Sequence, residues 1–474
     1  MDSIWTKTVR LPSFPTLEGQ QQADICIIGG GMAGILTGYL LRQAGADVLL
    51  LESNRIGSGQ TAGTTAKLTA QHGLKYQQLL HDLEEKTARQ YARANLDAVA
   101  QLRQLVQEAH IDCDFEDCTT FLYSTGPSAA LQKEYEACRS LGMDVFLTAT
   151  TELPFSAAAL GLRNQARLHP LKLLAALAEG LPIREQSRVL RAEGHTVTTD
   201  RGSVTAKTII FTCHYPFLNI PGYYFARQHQ ERSYVLALEN AAPMKHCYLG
   251  VEENGLSFRS WGNYLLLGSG SHRTGENRAG GKYDALRQAA KRYWPGSRVV
   301  SAWSAQDCIP MDGIPFIGQY AESHPDWLVA TGFQKWGMST SMAAAEILAS
   351  MALGKPSIPN PFSPQRFALS ASVKQLTDDT LHSIRGLGRR FLEPGRIPAD
   401  DLPAGHGGVV ELDGEKLGVY RDEAGELFAV SVKCPHLGCQ LEWNPDEKSW
   451  DCPCHGSRFD YQGRLLDGPA QTNL

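Results

Sequence analysis

The chain has 474 residues, of which 43% are hydrophobic and 20% charged, with a net charge of −5 at pH 7. That length holds two or three domains of ordinary globular composition. No basic block invites a nucleic-acid partner, no apolar run reaches the roughly 20 residues of a membrane span, and Met1 to Phe14 lacks a hydrophobic signal core, so a cytoplasmic protein is expected. Four of the eleven cysteines crowd into the final segment, and the other seven are scattered as expected of small buried hydrophobes.

The first legible run is Asp24-Ile-Cys-Ile-Ile28, apolar enough for a buried parallel strand. It leads into Gly29-Gly-Gly31-Met32-Ala33-Gly34, a helical pattern through Leu41, a turn at Gly45, and a second apolar strand, Val48 to Leu51, ending at Glu52. A G-x-G-x-x-G alone is a weak signal. Between a strand and a helix, with an acid closing the second strand, it predicts an α/β dinucleotide-binding domain. Gly29 permits the tight turn, Gly31 admits the pyrophosphate, Gly34 allows close helix packing, and Glu52 faces the ribose. The helix N-terminus offers free N–H groups to phosphate.

A glycine- and hydroxyl-rich loop follows: Ser53-Asn-Arg55-Ile-Gly57-Ser-Gly59-Gln60-Thr61-Ala-Gly-Thr64-Thr65-Ala66-Lys67. Far downstream, Asp312-Gly-Ile-Pro315-Phe-Ile-Gly318 precedes Trp327-Leu-Val-Ala-Thr331-Gly332-Phe-Gln-Lys335-Trp336-Gly337-Met338, which reads as strand, turn and a helix through Ala349. Together these stretches resemble the superfamily of D-amino-acid oxidase, glycine oxidase and sarcosine oxidase over residues 22–370. The resemblance implies FAD, held by the loop and by both glycine motifs, with Val189 returning to the adenine side. A helix starting near Gly337 would aim its positive end at the flavin and favour negative charge there.

In the middle, Leu79 to Ala109 repeats apolar residues at helical spacing and reads as one amphipathic helix. Segments at Thr119–Tyr123, Ser233–Leu238 and Tyr264–Leu267 read as strands, which fit the antiparallel substrate sheet that the resemblance implies. Substrate contacts are expected among polar residues beside these strands. Arg227 and Arg232 flank one, and arginine's fork suits a carboxylate. His214 and Tyr215 follow the strand Thr208–Cys213, at the end where α/β sheets hold ligands. His272 follows Tyr264–Leu267, and Gln306 and Asp307 lie in a third segment. For each, the plainer alternative is a structural hydrogen bond or a solvated charge. Some sarcosine-oxidase relatives carry an oxygen-activating lysine on a strand resembling Tyr264–Gly268. The matching place is Leu266, which argues for a dehydrogenase. Cys113-x-x-x-x-Cys118 resembles the disulfide-reductase motif but follows a long helix and precedes a strand, so no redox role is expected.

Residues 371–403 contain Pro394, Pro398 and Pro403 with little periodicity and are expected to be a linker; 404–474 read as short strands with turns at Asp413-Gly414 and Ala424-Gly425. This end carries Cys434-Pro-His436-Leu-Gly-Cys439 and Cys452-Pro-Cys454-His455-Gly-Ser457-Arg-Phe459. As ligands they give C-x-H, a fifteen-residue gap, then C-x-x-H. Zinc also takes two cysteines and two histidines. The pattern as a whole resembles a Rieske [2Fe–2S] domain, with Cys434 and Cys452 on one iron and His436 and His455 on the other. The resemblance further implies a Cys439–Cys454 disulfide, a hydrogen bond from Ser457 to a bridging sulfide, and a covering loop at Gly468-Pro469. Phe459 stands where high-potential members carry tyrosine, which predicts a lower potential.

A flavin that accepts two electrons beside a cluster that carries one makes a two-to-one converter. The arrangement looks like bacterial flavin oxidoreductases with a C-terminal Rieske domain, whose flavin half usually dehydrogenates a carbon–nitrogen bond of an amine or amino acid. The expected function is such a dehydrogenase, passing electrons through the cluster to a protein or quinone acceptor. The alternatives are an NAD(P)H-dependent reductase, which would need a second dinucleotide fold, and a non-catalytic redox sensor.

Overall fold

The computed structural model describes residues 2–355, 360–366, 402–412 and 414–474. Most of the expected linker, 371–401, lies outside the described residues. The flavin-domain core is a mixed sheet in the order Phe316–Ala321, His324–Thr331, Gly202–Phe211, Gly19–Ile28, Val48–Leu51, Ile183–Arg184, with a small hairpin at its flank. Gly19–Ile28 lies parallel to Gly202–Phe211 on one side and to Val48–Leu51 on the other. Its apolar run is continuous because both faces are covered. Ile25 and Ile27 pack into one core with Val48 and Leu50, while Cys26 and Ile28 pack into another with Leu49 and Leu51. The helices Met32–Gln43 and Gly337–Ala352 pack against each other, so both glycine motifs open onto one region.

A second, mostly antiparallel sheet contains the three expected middle strands at greater length: Glu116–Ser124, Gln228–Glu239 and Tyr264–Arg273. Arg298–Pro310 is its edge strand and pairs with Gln228–Glu239. The single helix expected over Leu79–Ala109 is instead two, Lys75–Asp82 and Glu85–Glu108. Leu83 and Glu84 adopt extended backbone between them, so apolar spacing continues across a break that it cannot reveal.

The C-terminal domain is all β. A sheet of Gly407–Leu412, Glu415–Arg421 and Leu427–Ser431 faces a second of Glu442–Asn444, Ser449–Asp451, Arg458–Asp460 and Leu465–Asp467. Tyr420, Leu441, Trp443, Trp450 and Phe459 form its core. Among the described residues, no helix is long and apolar enough to cross a membrane.

Candidate active site and cluster site

The two glycine motifs and the loop after Glu52 enclose a cavity of about 600 Å³. The three glycines of the first motif serve different ends. A Cβ on Gly34 would lie 1.9 Å from the Gly29 carbonyl oxygen, and one on Gly29 would lie 2.7 Å from that of Thr212, so both are fixed by packing. On Gly31 the nearest atom is Thr61 Oγ1 at 3.5 Å, and this glycine lines the cavity. The room it leaves is available to a ligand, as a pyrophosphate approaching backbone N–H groups requires. Glu52 is held by the N–H groups of Gly30 and Asn54 at 2.7 and 2.8 Å, and it also lines the cavity. Met32, Ala33, Ser53, Gly59, Gln60, Thr61, Thr64, Thr65, Lys67, Val189, Gly332, Lys335, Trp336, Gly337 and Met338 line it as well. Three expected contacts do not. Gly34 packs on Gly29, Ala66 is buried, and Arg55 pairs with Glu185 at 2.8 Å and bonds to the Pro12 carbonyl.

The helix Gly337–Ala352 starts at the cavity, and Trp336 at its N-cap is braced from behind. His72 stacks on it at 4.8 Å and 12°. Burial holds the His72 pKa down at about 3, so the brace is a neutral ring, tied to Tyr91 Oη at 2.7 Å.

Further polar groups of the cavity come from the second sheet and from the end of Gly202–Phe211. His214 and Tyr215 line the cavity. Burial lowers the His214 pKa, and its Nε2 lies 3.3 Å from Cys308 Sγ. Asp307 also lines it, its carboxyl pushed up to about 7 by burial against the opposing pull of Lys335. Lys67 bonds Ser257 Oγ and the Tyr248 carbonyl, and burial lowers its pKa to about 8. Lys335 pairs with Glu231 at 3.4 Å and bonds Ser271. Leu266 is buried in the core, and two lysines line the cavity from other elements, so a lysine-free strand does not make a lysine-free cavity.

Four expected substrate residues lie elsewhere. Arg227 stacks on Phe316 at 4.3 Å and bonds the Pro364 carbonyl. His272 stacks on Tyr234 and bonds the Gly270 carbonyl. Arg232 and Gln306 are almost fully buried and point at the C-terminal domain, Arg232 reaching Glu447 at 2.8 Å and Gln306 the Gly456 carbonyl at 2.8 Å. Missed by the sequence reading were Ser257, Ser269 and Ser271, which line the cavity or bond its lysines. The small-residue alternation Gly268-Ser-Gly-Ser, beginning where the apolar run ends, was the available signal.

In the C-terminal domain the two ligand loops have the same geometry. Cys434 N–H bonds the Cys439 carbonyl at 2.9 Å, and Cys452 N–H bonds the Ser457 carbonyl at 2.8 Å. Each turn needs a glycine at positive φ, Gly438 at 82° and Gly456 at 80°. The His436 and His455 rings stand 4.8 Å apart at 88°, and the Cys434 and Cys452 sulfurs are in contact. His436 Nδ1 is buried without a protein partner, as a ligand nitrogen turned to a metal would be. Cys439, Cys452 and Cys454 also bring their sulfurs within 4.8 Å, but Cys439 and Cys454 form a disulfide and cannot serve as thiolate ligands. The donor set therefore fits a two-cysteine, two-histidine cluster. The Ser457 hydroxyl accepts from Ala470 N–H at 3.0 Å and touches the Cys434 sulfur.

The two sites share a wall. Leu465 to Gln471, the last strand and the loop after it with Gly468-Pro469, closes over Ser457 on one side and lines the flavin cavity on the other. Asp467 Oδ1 accepts from Gln60 Nε2 at 3.2 Å across this boundary.

A nucleotide cavity under an antiparallel sheet, joined to a two-cysteine, two-histidine cluster site, is the layout of a flavin-dependent oxidoreductase that also holds an iron–sulfur cluster. Residues 24–351 match the FAD dependent oxidoreductase family and residues 396–474 the Rieske [2Fe-2S] domain; the chain belongs to this oxidoreductase family, with FAD and a [2Fe–2S] cluster as cofactors. It is 37% identical, over 99% of its length and 96% of the relative's, to YhfW of Bacillus subtilis (strain 168), whose name describes a Rieske 2Fe-2S iron-sulfur protein. Its cluster region is 38% identical to the cytochrome b6-f complex iron-sulfur subunit of Chlorobaculum tepidum, over 16% of this chain and 42% of that one. The fold is that of glycine oxidase from Geobacillus kaustophilus (TM-score 0.62, 21% identity, 73% of this chain and 99% of that one). L-proline dehydrogenase from P.horikoshii shares it too (TM-score 0.60, 16% identity, 74% and 98%).

Proposed function

We propose that the protein dehydrogenates a carbon–nitrogen bond of a small amine or amino acid and sends the electrons singly through its cluster to an external one-electron acceptor. The observation that carries this reading is the shared wall: one segment, Leu465 to Gln471, both covers the cluster site and lines the flavin cavity. The names of proteins of the same fold, glycine oxidase and L-proline dehydrogenase, support a small amino acid as the chemical class. FAD supplies acceptance of two electrons and their separate release, and the cluster supplies one-electron carriage.

The chain's own residues arrange the rest. Asp307, its carboxyl pushed up to about 7 by burial, is matched to taking a proton from a substrate ammonium near neutral pH. His214 stays neutral and fixes the neighbouring wall through Cys308. The Gln60–Asp467 contact closes the cavity against the cluster domain. The glycine run Gly268 to Gly275 belongs largely to the strand Tyr264–Arg273 and opens no helix, so it offers the nicotinamide alternative no binding turn among the described residues.

The test is anaerobic mixing of the full-length protein with a pool of amines and amino acids, beside an NADH-plus-NADPH control. Flavin bleaching followed by the cluster's low-temperature electron-spin signal is expected in the pool alone. Cluster reduction only with the nicotinamides would overturn the reading.

A further inference from the structure

The cluster's ligand loops are pressed into the flavin domain. Four consecutive carbonyls of the second loop each meet a donor from that domain. Arg273 Nε reaches Pro453 O at 3.2 Å and its Nη2 reaches Cys454 O at 3.5 Å. Gln230 Nε2 reaches His455 O at 2.7 Å, and Gln306 Nε2 reaches Gly456 O at 2.8 Å. The first loop meets an acceptor: His436 Nε2 lies 2.8 Å from Asn219 Oδ1. With Nε2 donating, Nδ1 is the bare nitrogen, and it is the buried, unpartnered one. Phe225 stands edge-on to both histidine rings, at 6.4 and 5.8 Å.

The seat is tight enough to need glycine. A Cβ on Gly275 would lie 2.5 Å from Pro453 N, and one on Gly456 would lie 2.6 Å from Gln230 Cβ. Beside it, Arg232 is paired with Glu447, which also pairs with Arg458 at 3.1 Å.

We infer that Asn219 and Arg273 of the flavin domain, with Gln230 and Gln306, are positioning residues that complete the outer shell of the cluster and set its potential. An acceptor on the outer nitrogen of a ligand imidazole makes it a stronger electron donor and favours the oxidised cluster. Donors and a positive charge on the other loop's carbonyls favour the reduced cluster. The potential then belongs to the docked pair of domains. Docking also covers the histidine edge with Asn219 and Phe225, so in this arrangement the cluster faces its own flavin domain. The inference deepens the proposed flow of electrons from flavin to cluster and rests on it.

The test is an electron-spin-monitored redox titration of the full-length protein loaded with FAD and cluster. Asn219→Leu removes the acceptor, and the cluster midpoint is expected to rise. Asn219→Asp keeps an acceptor oxygen and adds negative charge, and the midpoint is expected to fall. Arg273→Leu removes a cation and two bonds, and the midpoint is also expected to fall. Loss of the cluster from Asn219→Leu with flavin content intact would equally place Asn219 in the cluster's shell. Wild-type midpoints and line shapes in all three variants would overturn the inference. The titration uses no substrate. Shifted midpoints with an inert amine pool would therefore sink only the substrate reading, and unshifted midpoints with a reactive pool only the dock.

Discussion

The FAD cavity and the cluster site are built by opposite means. The cavity is made chiefly of backbone: glycines that let chain segments approach, a helix start at Met32 and another at Gly337, and a glycine- and threonine-rich loop that lines it. The cluster site is made of side chains: four donors on two matched turns, clamped by a disulfide. A backbone cradle fails when volume is added, and a ligand set fails when one atom is taken away. The two sites should therefore be separable by mutation, although they share the wall from Leu465 to Gln471.

The sharpest separation is on the cluster side. Cys434→Ser or Cys452→Ser should abolish the cluster and leave flavin content intact, read as iron and sulfide content against flavin absorbance. The mirror experiment is Gly34→Val. Its new Cβ would lie 1.9 Å from the Gly29 carbonyl oxygen, so FAD should be lost while the cluster signal is retained. Loss of both cofactors from either variant would mean that the sites fold as one.

Next is chemistry within the cavity. Asp307→Asn should slow flavin reduction by the substrate about 10²–10⁴-fold. In the wild type that rate should rise with pH through about 7 as the carboxyl ionises, and the variant should lack this limb. A smaller effect lies at the interface. Arg232→Leu leaves the buried Glu447 with Arg458 as its charged partner, and should cost about 3 kcal/mol in denaturant unfolding, the low end for a broken buried pair. Smallest is a pH term. Burial works against the charged Glu447, but Arg232, Arg458 and Ser304 outweigh it and hold the pKa at about 2, below the ordinary glutamate value of 4.5. A depressed carboxylate stabilises above its unfolded pKa, so this contribution should be whole above pH 4.5 and fade as the pH falls towards 2. Glu447→Gln should remove that acid limb from the stability profile.

The same contrast governs what could be read from sequence. The glycine motif and the ligand set are short strings whose spacing carries their chemistry, and the structure gathers each into one site. The three middle strands of the second sheet were also legible. The roles of Arg232 and Gln306 were not. On Gln228–Glu239, alternate residues Gln228, Gln230 and Arg232 share one face of the pleat. Such a polar stripe looks the same whether it faces a ligand cavity or another domain. Here Gln230 and Arg232 meet His455 and Glu447, which lie more than 200 positions away. Leu266 is uninformative for a related reason: its strand carries no lysine, while Lys67 and Lys335 line the cavity from a loop-borne strand and from the second glycine motif.

In the proposed function, electrons pass from flavin to cluster within one chain. This is tested by anaerobic photoreduction of the FAD in the full-length protein, with flavin absorbance and the cluster's electron-spin signal followed in the same sample over a range of protein concentrations. The cluster is expected to be reduced as the flavin gives up electrons, at a rate independent of concentration. A cluster that stays oxidised beside a fully reduced flavin, or a rate rising in proportion to concentration, would contradict it.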